Sequence, residues 1–332
     1  MRILTDCPRR TVRILGDDPD WREVAVGSLV ASERELWLAL GHGRSVWVGT
    51  SSLNDCGDWP RFICVAVAAD SQFDVLRQLG ASSDGQTESV ACLALTGQRF
   101  HGHRQRPWVA AAGNLHLSVA LFPRQNAARI GLALTMLPAV ALIDAVTAAS
   151  DGALRPGIKW VNDILLGDSK VAGVLTATQA QGGRLELAIL GIGCNLAQAP
   201  PVPPTPFVPR VSCLHETPGG ETCQLGKLNR AVLAALDQRY HSLLRDGPEV
   251  LFAAYREASV VVGRRVRIFD EGVELRGGPA DWPAPLASGK VLAIEPDLSL
   301  RIDSTTAPIS RGRLVFEEWC YPVRPAGDSR NR

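Results

Sequence analysis

The stretch Lys159-Trp-Val-Asn-Asp-Ile-Leu-Leu-Gly-Asp-Ser-Lys170-Val-Ala-Gly-Val-Leu175 contains two of the four lysines in this chain. Arginine supplies nearly all the other positive charge, and on a solvated surface it usually substitutes well for lysine. A lysine kept among so many arginines indicates a place that needs a compact ammonium group on a flexible stem. The alternative is that a GC-rich genome replaced most lysines by arginine and left these two at random.

Apolar residues on both sides of this stretch predict a β meander over residues 158–195. If the turn in Gln179-Ala-Gln-Gly-Gly-Arg184 is centred on residues 181 and 182, Lys170 lies opposite Gly193 on the neighbouring strand. Asn195 then lies beyond it on the same face. A slip of one residue would turn Lys170 to the other face. Three glycines would leave a surface without side chains, where a ligand can approach the backbone: Gly173, Gly191 and Gly193.

Such a surface suits adenylation, the attack of a carboxylate on the α-phosphate of ATP. The reaction brings two anions together, so cations that neutralise the developing charge supply most of the help. Lys170 would bridge the carboxylate and the phosphate, and Asn162 or Asn195 would hold phosphate or Mg²⁺ oxygens. Asp163 would orient a metal or a lysine. The alternative is that Asp163 and Lys159 form an ordinary ion pair and that Asn162 makes a turn.

A second candidate segment is the cationic loop from Gln98 to Trp108, which carries His101, His103, Arg104 and Arg106 around Gly102. A basic loop that covers a nucleotide would exclude water and stabilise phosphate. A solvated arginine loop or an RNA contact remains an alternative. We expect Trp108 to pack as a core anchor at the end of the loop, while the choice for His116 between a ligand and the core stays open.

Composition excludes several classes of protein. The formal net charge of +1 gives no general attraction to nucleic acid or to an anionic membrane. No apolar run reaches the roughly 20 residues of a membrane helix, and no secretion signal is evident at the N-terminus. The eight cysteines show no Cys-x-x-Cys spacing, which predicts reduced thiols in a cytoplasmic protein and no structural metal.

The pattern of elements predicts an α+β protein in four segments. Residues 1–61 are assigned no function, and Leu36–Leu40 and Ser45–Gly49 predict a hairpin around Gly41–Arg44. The net charge of −2 over residues 1–60 argues against a helix-turn-helix that reads DNA. Residues 62–258 form a catalytic domain with a long helix over 126–149. Residues 259–320 contain five short strands, beginning at Val260–Val262, that predict a small barrel. Residues 321–332 form a disordered tail.

Taken together, these segments resemble the biotin–protein ligases of the biotin/lipoate ligase superfamily. Lys159-Trp-Val-Asn-Asp-Ile is similar to the family's Lys-Trp-Pro-Asn-Asp box, with Val161 in place of proline. Lys170-Val-Ala-Gly-Val-Leu is similar to its lysine strand, and Gly191-Ile-Gly-Cys-Asn195 to its Gly-x-Gly-x-Asn box. The resemblance covers roughly residues 62–320. It implies a mixed β-sheet flanked by helices, as in class II synthetases, followed by an SH3-like barrel.

The resemblance implies a two-step reaction. Biotin and MgATP give biotinyl-5′-AMP, and a lysine of a biotin carboxyl carrier protein then takes the biotinyl group. Lys170 would be the central catalytic residue, with Arg104 or His103 in place of the loop arginine that clasps the intermediate. Two further sets are implied, one for ATP and Mg²⁺ and one for biotin: Lys159, Trp160, Asn162, Asp163, Asn195 and Arg106; and Ser71, Gln98, Gly102, His116, Gly173, Gly191 and Gly193.

Two segments depart from the family pattern. The loop from Gln98 to Trp108 is one residue shorter than the family's, and the family's Ser-Thr-Asn segment is present only as Asp70-Ser-Gln-Phe. A lipoate or octanoate ligase, an acyltransferase of the same superfamily and a non-catalytic biotin-binding relic therefore remain alternatives. No DNA and no membrane are expected as partners, and a homodimer is a further expectation.

Overall fold

The computed structural model describes residues 1–40, 43–52, 55–82 and 88–320. The helices and strands alternate along most of the chain, and short strands predominate near its C-terminal end. Their bounds are β1 Arg2–Thr5, α1 Pro8–Leu15, β2 Arg22–Ala25, α2 Ala31–Ala39, β3 Ser45–Thr50, β4 Arg61–Val65, α3 Gln72–Ser82, β5 Val90–Ala94, β6 Leu115–Leu121, β7 Gln125–Asn126, α4 Ala127–Ile130, α5 Ala133–Ala149, β8 Gly157–Lys159, β9 Asp163–Leu166, β10 Ser169–Gln181, β11 Arg184–Cys194, α6 Leu225–Asp246, α7 Glu249–Ala258, β12 Arg265–Phe269, β13 Ala287–Ile294, β14 Leu300–Ile302, β15 Arg313–Phe316 and α8 Glu317–Cys320.

Eleven of the described strands form one mixed sheet in the order β2-β3-β1-β4-β5-β6-β11-β10-β9-β8, with β7 paired to β11. The two parallel contacts are β1 with β4 and β4 with β5. Every residue of β4 and β5 is buried, as expected for strands that are covered on both faces. Helices α1, α5 and α6 cover one face and α2 and α3 the other. The predicted α+β class with a mixed sheet flanked by helices is confirmed.

The first three strands belong to this same sheet. β1 lies between β3 and β4, so the sheet continues across the boundary that the sequence placed at residue 61. The predicted hairpin is wrong on its first side, because Leu36–Ala39 is the last part of helix α2, whereas Ser45–Thr50 is a strand. Leu36, Trp37 and Leu40 are buried together at helical spacing, which a strand would not allow. Residues 41 and 42 lie outside the described ranges.

The meander from β8 to β11 is confirmed, but its predicted register is wrong. Gly173, not Lys170, lies opposite Gly193. The turn is centred on Gly182 and Gly183, whose φ angles of 57° and 79° suit the tight hairpin turns that require positive φ. A bulge between Gln179 and Ala180 shifts the pairing by one more residue. The later turn and the bulge together account for the shift of three residues, from Lys170 to Gly173 opposite Gly193.

The long apolar helix was predicted over residues 126–149 and is interrupted between α4 and α5. Among the described residues, Ala127–Ala149 is the one stretch long and apolar enough to cross a membrane by length and composition. In the structure α5 packs against β10, β11 and α6, and 67% of the most apolar window of this stretch is buried. Its apolar character is therefore accounted for by the core of the protein.

The C-terminal residues form a separate four-stranded antiparallel sheet in the order β14-β13-β12-β15. The predicted strand at Val260–Val262 is wrong, because the Val260 N–H instead donates to Ile158 O of β8 at 3.0 Å. Trp160, in the turn after β8, donates from Nε1 to Leu298 O of this unit at 2.7 Å. The small sheet is thereby packed beside the β8–β9 turn. The predicted tail over 321–332 lies outside the described residues.

Candidate active site

A β-bulge places Lys170 over the glycine surface. Against β9, Lys170 pairs with Leu165 and Ala172 with Ile164, so the register shifts between them. In a regular strand residues 170 and 173 would point to opposite faces, and one extra residue brings them to the same face. A Cβ atom at Gly173 would lie 3.5 Å from Lys170 Nζ. The placement expected for Lys170 is therefore reached through a bulge rather than through the predicted register.

Asp163 holds the ammonium group of Lys170. Lys170 Nζ lies 2.5 Å from Asp163 Oδ1, and Lys159 Nζ lies 4.0 Å from Asp163 Oδ2. Burial raises the pKa of Asp163, but the charges of Lys170 and Lys159 outweigh burial, so the net pKa lies below its usual value. The carboxylate therefore stays ionised and holds the ammonium groups of both Lys159 and Lys170 beside it.

Lys159 is 4% exposed and donates from Nζ to Phe207 O at 2.7 Å. Burial, partly offset by the charge of Asp163, lowers its pKa to about 8. Its ammonium group also lies 5.3 Å from the centre of the Trp319 ring, in the C-terminal unit. Lys159 therefore supports Asp163 and the segment around Phe207. The ion pair that was the alternative interpretation of this lysine is present at 4.0 Å.

Two arginines add positive charge beside Asp163. Arg106 comes from the cationic loop, and the charges of Arg106 and Arg313 both lower the pKa of Lys159. Burial, followed by the charge of Arg106, lowers the pKa of Arg313 to about 10, and its guanidinium stacks 3.5 Å from the centre of the Phe207 ring. Two lysines thus lie against Asp163, and the charges of two arginines act on the same carboxylate. Such an excess of cations attracts a multiply charged anion.

Arg313 was missed by the sequence analysis. It begins β15 in the C-terminal sheet, far along the chain from the lysine stretch. The only signal in the sequence is the glycine between two arginines in Arg311-Gly-Arg313. In the structure this glycine, Gly312, has a φ angle of 131°. That signal predicts a special backbone conformation, and it gives no hint that the charge of Arg313 acts near Asp163.

The glycine surface carries aromatic rings. Gly193 pairs with Gly173 on one side and with His116 on the other. A Cβ atom at Gly193 would come within 2.5 Å of the Trp108 indole, and one at Gly191 within 3.0 Å of Phe73. The absence of side chains at Gly191 and Gly193 therefore makes room for Phe73 and Trp108. The glycine surface beside Lys170 is therefore bordered by these rings rather than left as bare backbone, and this ring-bordered surface is called the slot.

His116 is fixed in its neutral form beneath Trp108. Trp108 Nε1 donates to His116 Nδ1 at 3.3 Å, and His116 Nε2 donates to Ala111 O at 3.0 Å. Burial lowers the pKa of His116 to about 4. Phe100 contacts the same ring edge-on, with 5.8 Å between the ring centres. His116 thus lies on the same face of the sheet as Gly193, beneath Trp108 at the edge of the slot.

The cationic loop is a small hairpin. Gly102 N–H donates to Arg106 O at 2.8 Å, and Trp108 N–H donates to Phe100 O at 2.9 Å. Its tip is attached to the C-terminal unit, since Arg104 forms an ion pair with Glu271 at 2.6 Å. Desolvation and then the charge of Arg106 lower the pKa of His103, which lies beside Arg104 at this tip. Arg104 is therefore partnered, whereas Arg106 has no ion-pair partner within the described residues.

Two residues that were expected to contact the ligand lie near the start of α3 and of the hairpin. Ser71 is buried, and its carbonyl accepts from Asp74 and Val75 at the beginning of α3. The Gln98 N–H donates to Ala68 O at 3.0 Å, which ties the start of the hairpin to the segment before α3. Both residues therefore belong to the segments that supply Phe73 and Trp108 to the glycine surface, and Gln98 is exposed.

Three further residues predicted to bind ATP differ in their surroundings. Asn162 lies in the β8–β9 turn and donates from Nδ2 to Val174 O at 2.8 Å, as the turn alternative predicted. Trp160 is buried and held by Leu298, so its indole faces the core rather than the cluster of cations. Asn195 donates from Nδ2 to Ser212 O at 3.1 Å, while its buried Oδ1 has no hydrogen-bond partner in the described structure.

The chain is similar in sequence to the biotin/lipoate A/B protein ligase family, whose profile matches residues 88–195. A biotin–[acetyl-CoA-carboxylase] ligase of Paracoccus denitrificans is 42% identical over 99 residues, which is 30% of this chain and 41% of that protein. The bifunctional ligase/repressor BirA of Bacillus subtilis is 28% identical over 170 residues, half of each chain. These relatives are thus matched over half of their length or less.

A longer match is found with a biotin–[acetyl-CoA-carboxylase] ligase of Mycobacterium tuberculosis. It is 30% identical over 227 residues, which is 66% of this chain and 77% of that protein. Among solved structures, the biotin protein ligase from Aquifex aeolicus in complex with biotin and ATP has a TM-score of 0.58 at 17% identity. The match covers 78% of this chain and 99% of the Aquifex aeolicus chain, so the two proteins have the same fold. On the extent and identity of the tuberculosis match, the chain belongs to the biotin/lipoate A/B protein ligase family.

Proposed function

We propose that this protein is an ATP-dependent biotin–protein ligase. It activates biotin as biotinyl-5′-AMP and transfers the biotinyl group to a lysine of a biotin carboxyl carrier domain. The observation that carries the proposal is the ion pair between Lys170 and Asp163 at 2.5 Å, at the edge of the glycine surface. Family membership and the names of the relatives support the choice of biotin and ATP.

Lys170 serves the first step. Its ammonium group is near both the glycine surface and the cluster of cations, so it contacts the biotin carboxylate and the α-phosphate together. Charge on the non-bridging oxygens rises as the carboxylate attacks, and a cation that is already in place stabilises that charge without reorganisation. Asp163 positions the ammonium group, while Arg106 and Arg313 face the outer phosphates that leave as pyrophosphate.

The residues at the site fit MgATP. Asn195 presents a buried oxygen without a partner among the described residues, and Asp163 presents a carboxylate. Carboxylate and amide oxygens are the ligands that Mg²⁺ prefers, generally together with phosphate oxygens. Asp163 and Asn195 would hold the ion, which neutralises phosphate charge when bound. Lys159 and Asn162 would support this region through their own hydrogen bonds rather than by direct contact.

The slot bounded by Trp108, Phe73 and His116 takes the ring system of the acid. Gly173, Gly191 and Gly193 form its floor together with these rings, and Gln98, Gly102 and Ser71 lie along its entrance. His103 or Arg104 at the hairpin tip closes over the adenylate. Because the profile covers lipoate ligases as well, the shape of this slot decides between biotin and lipoate or octanoate.

The wider roles follow from the same proposal. The acceptor is a biotin carboxyl carrier domain, the C-terminal four-stranded sheet closes as an SH3-like barrel, and the protein acts in the cytoplasm, with a homodimer as a further proposal. No DNA is bound. That proposal is supported by the net charge of −2 over residues 1–60 and by the strands that the segment contributes to the main sheet.

Pyrophosphate exchange dependent on biotin tests the function directly. We expect exchange with the wild-type chain, and a loss of at least about 100-fold in Lys170→Ala, since one stabilising group removed from a transition state has this effect. Lys290→Ala is the matched control, because Lys290 is an exposed lysine on β13. Exchange with lipoate or octanoate but not biotin would assign the alternative substrate. No exchange with any of these acids would contradict the ligase proposal.

A further inference from the structure

Cys7 and Cys64 bring two thiols together at the ends of neighbouring strands. β1 and β4 pair in parallel, with Thr5 opposite Cys64. The chain turns back directly after Thr5, because the Cys7 N–H donates to Thr5 Oγ1 at 3.0 Å and the Cys7 Sγ lies 3.5 Å from the same oxygen. The turn brings residue 7 beside the strand neighbour of Thr5, so the side chains of Cys7 and Cys64 both adjoin the side chain of Thr5.

The two thiols have different surroundings. Cys7 is partly exposed and precedes Pro8, the first residue of α1, whereas Cys64 is fully buried. The neighbouring Cys64 thiol lowers the pKa of Cys7, and this effect outweighs partial burial. The Cys7 thiol, followed by burial, raises the pKa of Cys64. An accessible thiol that ionises readily therefore stands against a buried thiol that keeps its proton.

No other cysteine in the chain combines these properties. Cys92 and Cys194 are buried, and burial raises the pKa of each thiol. Cys92 follows on the strand next to β4, but it pairs with Ile63 and belongs to the core on the opposite face of the sheet from Cys64. A reaction that begins at an accessible thiolate is thus directed to Cys7.

We propose that Cys7 and Cys64 are a reversible dithiol–disulfide pair that reacts with low-molecular-weight disulfides. The Cys7 thiolate attacks one sulfur of the small disulfide, forms a mixed disulfide and releases one small thiolate. The Cys64 sulfur then attacks the Cys7 sulfur and releases the second small thiolate, which takes the Cys64 proton. Two protein thiols are oxidised and one small disulfide is reduced to two thiols.

The proposed link joins the N-terminal segment to the strand that leads into the site. Cys64 lies on β4, and the next residues include Ala66, whose N–H donates to Asp6 Oδ1 at 2.8 Å, and Ala68, whose carbonyl accepts from Gln98. A disulfide between residues 7 and 64 closes a long loop of chain, which restricts the unfolded state and raises thermal stability.

Oxidised glutathione is the probe for this pair. The full chain is incubated with oxidised glutathione, and the remaining protein thiols are blocked with N-ethylmaleimide. The protein is then digested with trypsin, and the peptide masses are measured by mass spectrometry. We expect a species that links the peptides 3–9 and 62–77, each of which contains one cysteine. We also expect Tm to rise by about 5 °C on oxidation, given the loop that the bond closes, and dithiothreitol to reverse both changes.

Three variants separate the two chemical steps. Cys64→Ala should stop at a mixed disulfide of Cys7 with glutathione, and Cys7→Ala should leave the thiol of residue 64 unmodified. Cys92→Ala is the matched control and should form the linked species to the wild-type extent. The proposal is overturned if wild-type Cys7 accumulates as the glutathione adduct without linkage, stays unmodified, or links to a cysteine other than Cys64.

Discussion

Trp108 packs on Gly193 so closely that a Cβ atom at residue 193 would lie 2.5 Å from the indole ring. Since this contact joins the hairpin to the central strand β11, the size of residue 193 controls where Trp108 sits. It also affects His116, which accepts a hydrogen bond from Trp108. The relationship connects the floor of the proposed slot to its wall.

Gly193→Ala should displace Trp108. We expect the free energy of unfolding to fall by about 1–3 kcal/mol, as for other overpacked sites, and the affinity for biotin to fall at the same time. Urea unfolding and calorimetric titration with biotin measure the two effects. Gly27→Ala is the control, because no atom lies within 4 Å of the Cβ position there. Unchanged stability and affinity in Gly193→Ala would contradict the described packing.

Lys159 should make stability depend on pH in alkaline solution. Its pKa is about 8 in the folded chain and 10.5 in the reference state, so between these values the unfolded chain binds more protons and stability rises with pH. From this group alone we expect a rise of up to about 3 kcal/mol. Urea unfolding at pH 8.0 and 10.5 should show a flatter profile for Lys159→Met than for wild type.

The control for that experiment is Lys290→Met, which changes an exposed lysine. It should retain the wild-type slope over the same pH range. Equal slopes for Lys159→Met and wild type would mean that Lys159 is not held in the low-dielectric position between Asp163 and Phe207.

Arg313→Met should weaken ATP binding. The guanidinium of Arg313 belongs to the group of cations around Asp163, and the loss of one charge-assisted hydrogen bond to phosphate costs about 1.5–3 kcal/mol. We expect the KM for ATP to rise about tenfold or more with little change in the KM for biotin. Initial rates of pyrophosphate exchange give both constants.

Arg301→Met is the matched variant for Arg313→Met, since Arg301 lies on β14 and pairs with Glu295 at 3.1 Å. It should leave both KM values unchanged. If the two variants behave alike, the C-terminal sheet does not contribute a phosphate contact through Arg313.

Glu271→Gln should loosen the tip of the hairpin. The ion pair of Glu271 with Arg104 is partly exposed, so its loss is expected to change global stability by less than about 1 kcal/mol. Local opening should nevertheless increase, and trypsin should cut after Arg104 about threefold faster. The control is Glu274→Gln, which breaks an exposed pair with Arg276. Equal cleavage rates in both variants would show that the tip is not held by Glu271.

The sequence predicted which segments of the site are strands better than it predicted the register between those strands. The strands of the meander were identified because Ile158 and Gly191-Ile-Gly-Cys194 stand in apolar or glycine-rich runs. The register was missed because a turn at Gly182-Gly183 and a bulge at Gln179 are each set by local backbone geometry. Apolar patterning cannot resolve a shift of two or three residues there, and the Lys170 bulge is equally hidden in the sequence.

Contacts between distant segments were the other part that sequence could not supply. The charges of Arg313 and Asp163 act on each other only because the C-terminal sheet packs beside the β8–β9 turn. Glu271 meets Arg104 for the same reason. In residues 1–61, the apolar Leu36–Leu40 run was assigned to a strand, since short apolar runs are consistent with either a helix or a strand. Only the packing of Trp37 in the core decides this.

The pairing of β1 with both β3 and β4 has a consequence for how the chain is made. Residues 2–5 leave the ribosome well before Arg61–Val65, which forms one of their two neighbouring strands. The opening segment therefore cannot complete its hydrogen bonds until that later strand has emerged. A shortened gene that starts after residue 61 would leave the buried strand β4 with an open edge, so the first sixty residues are needed for expression of a well-folded product.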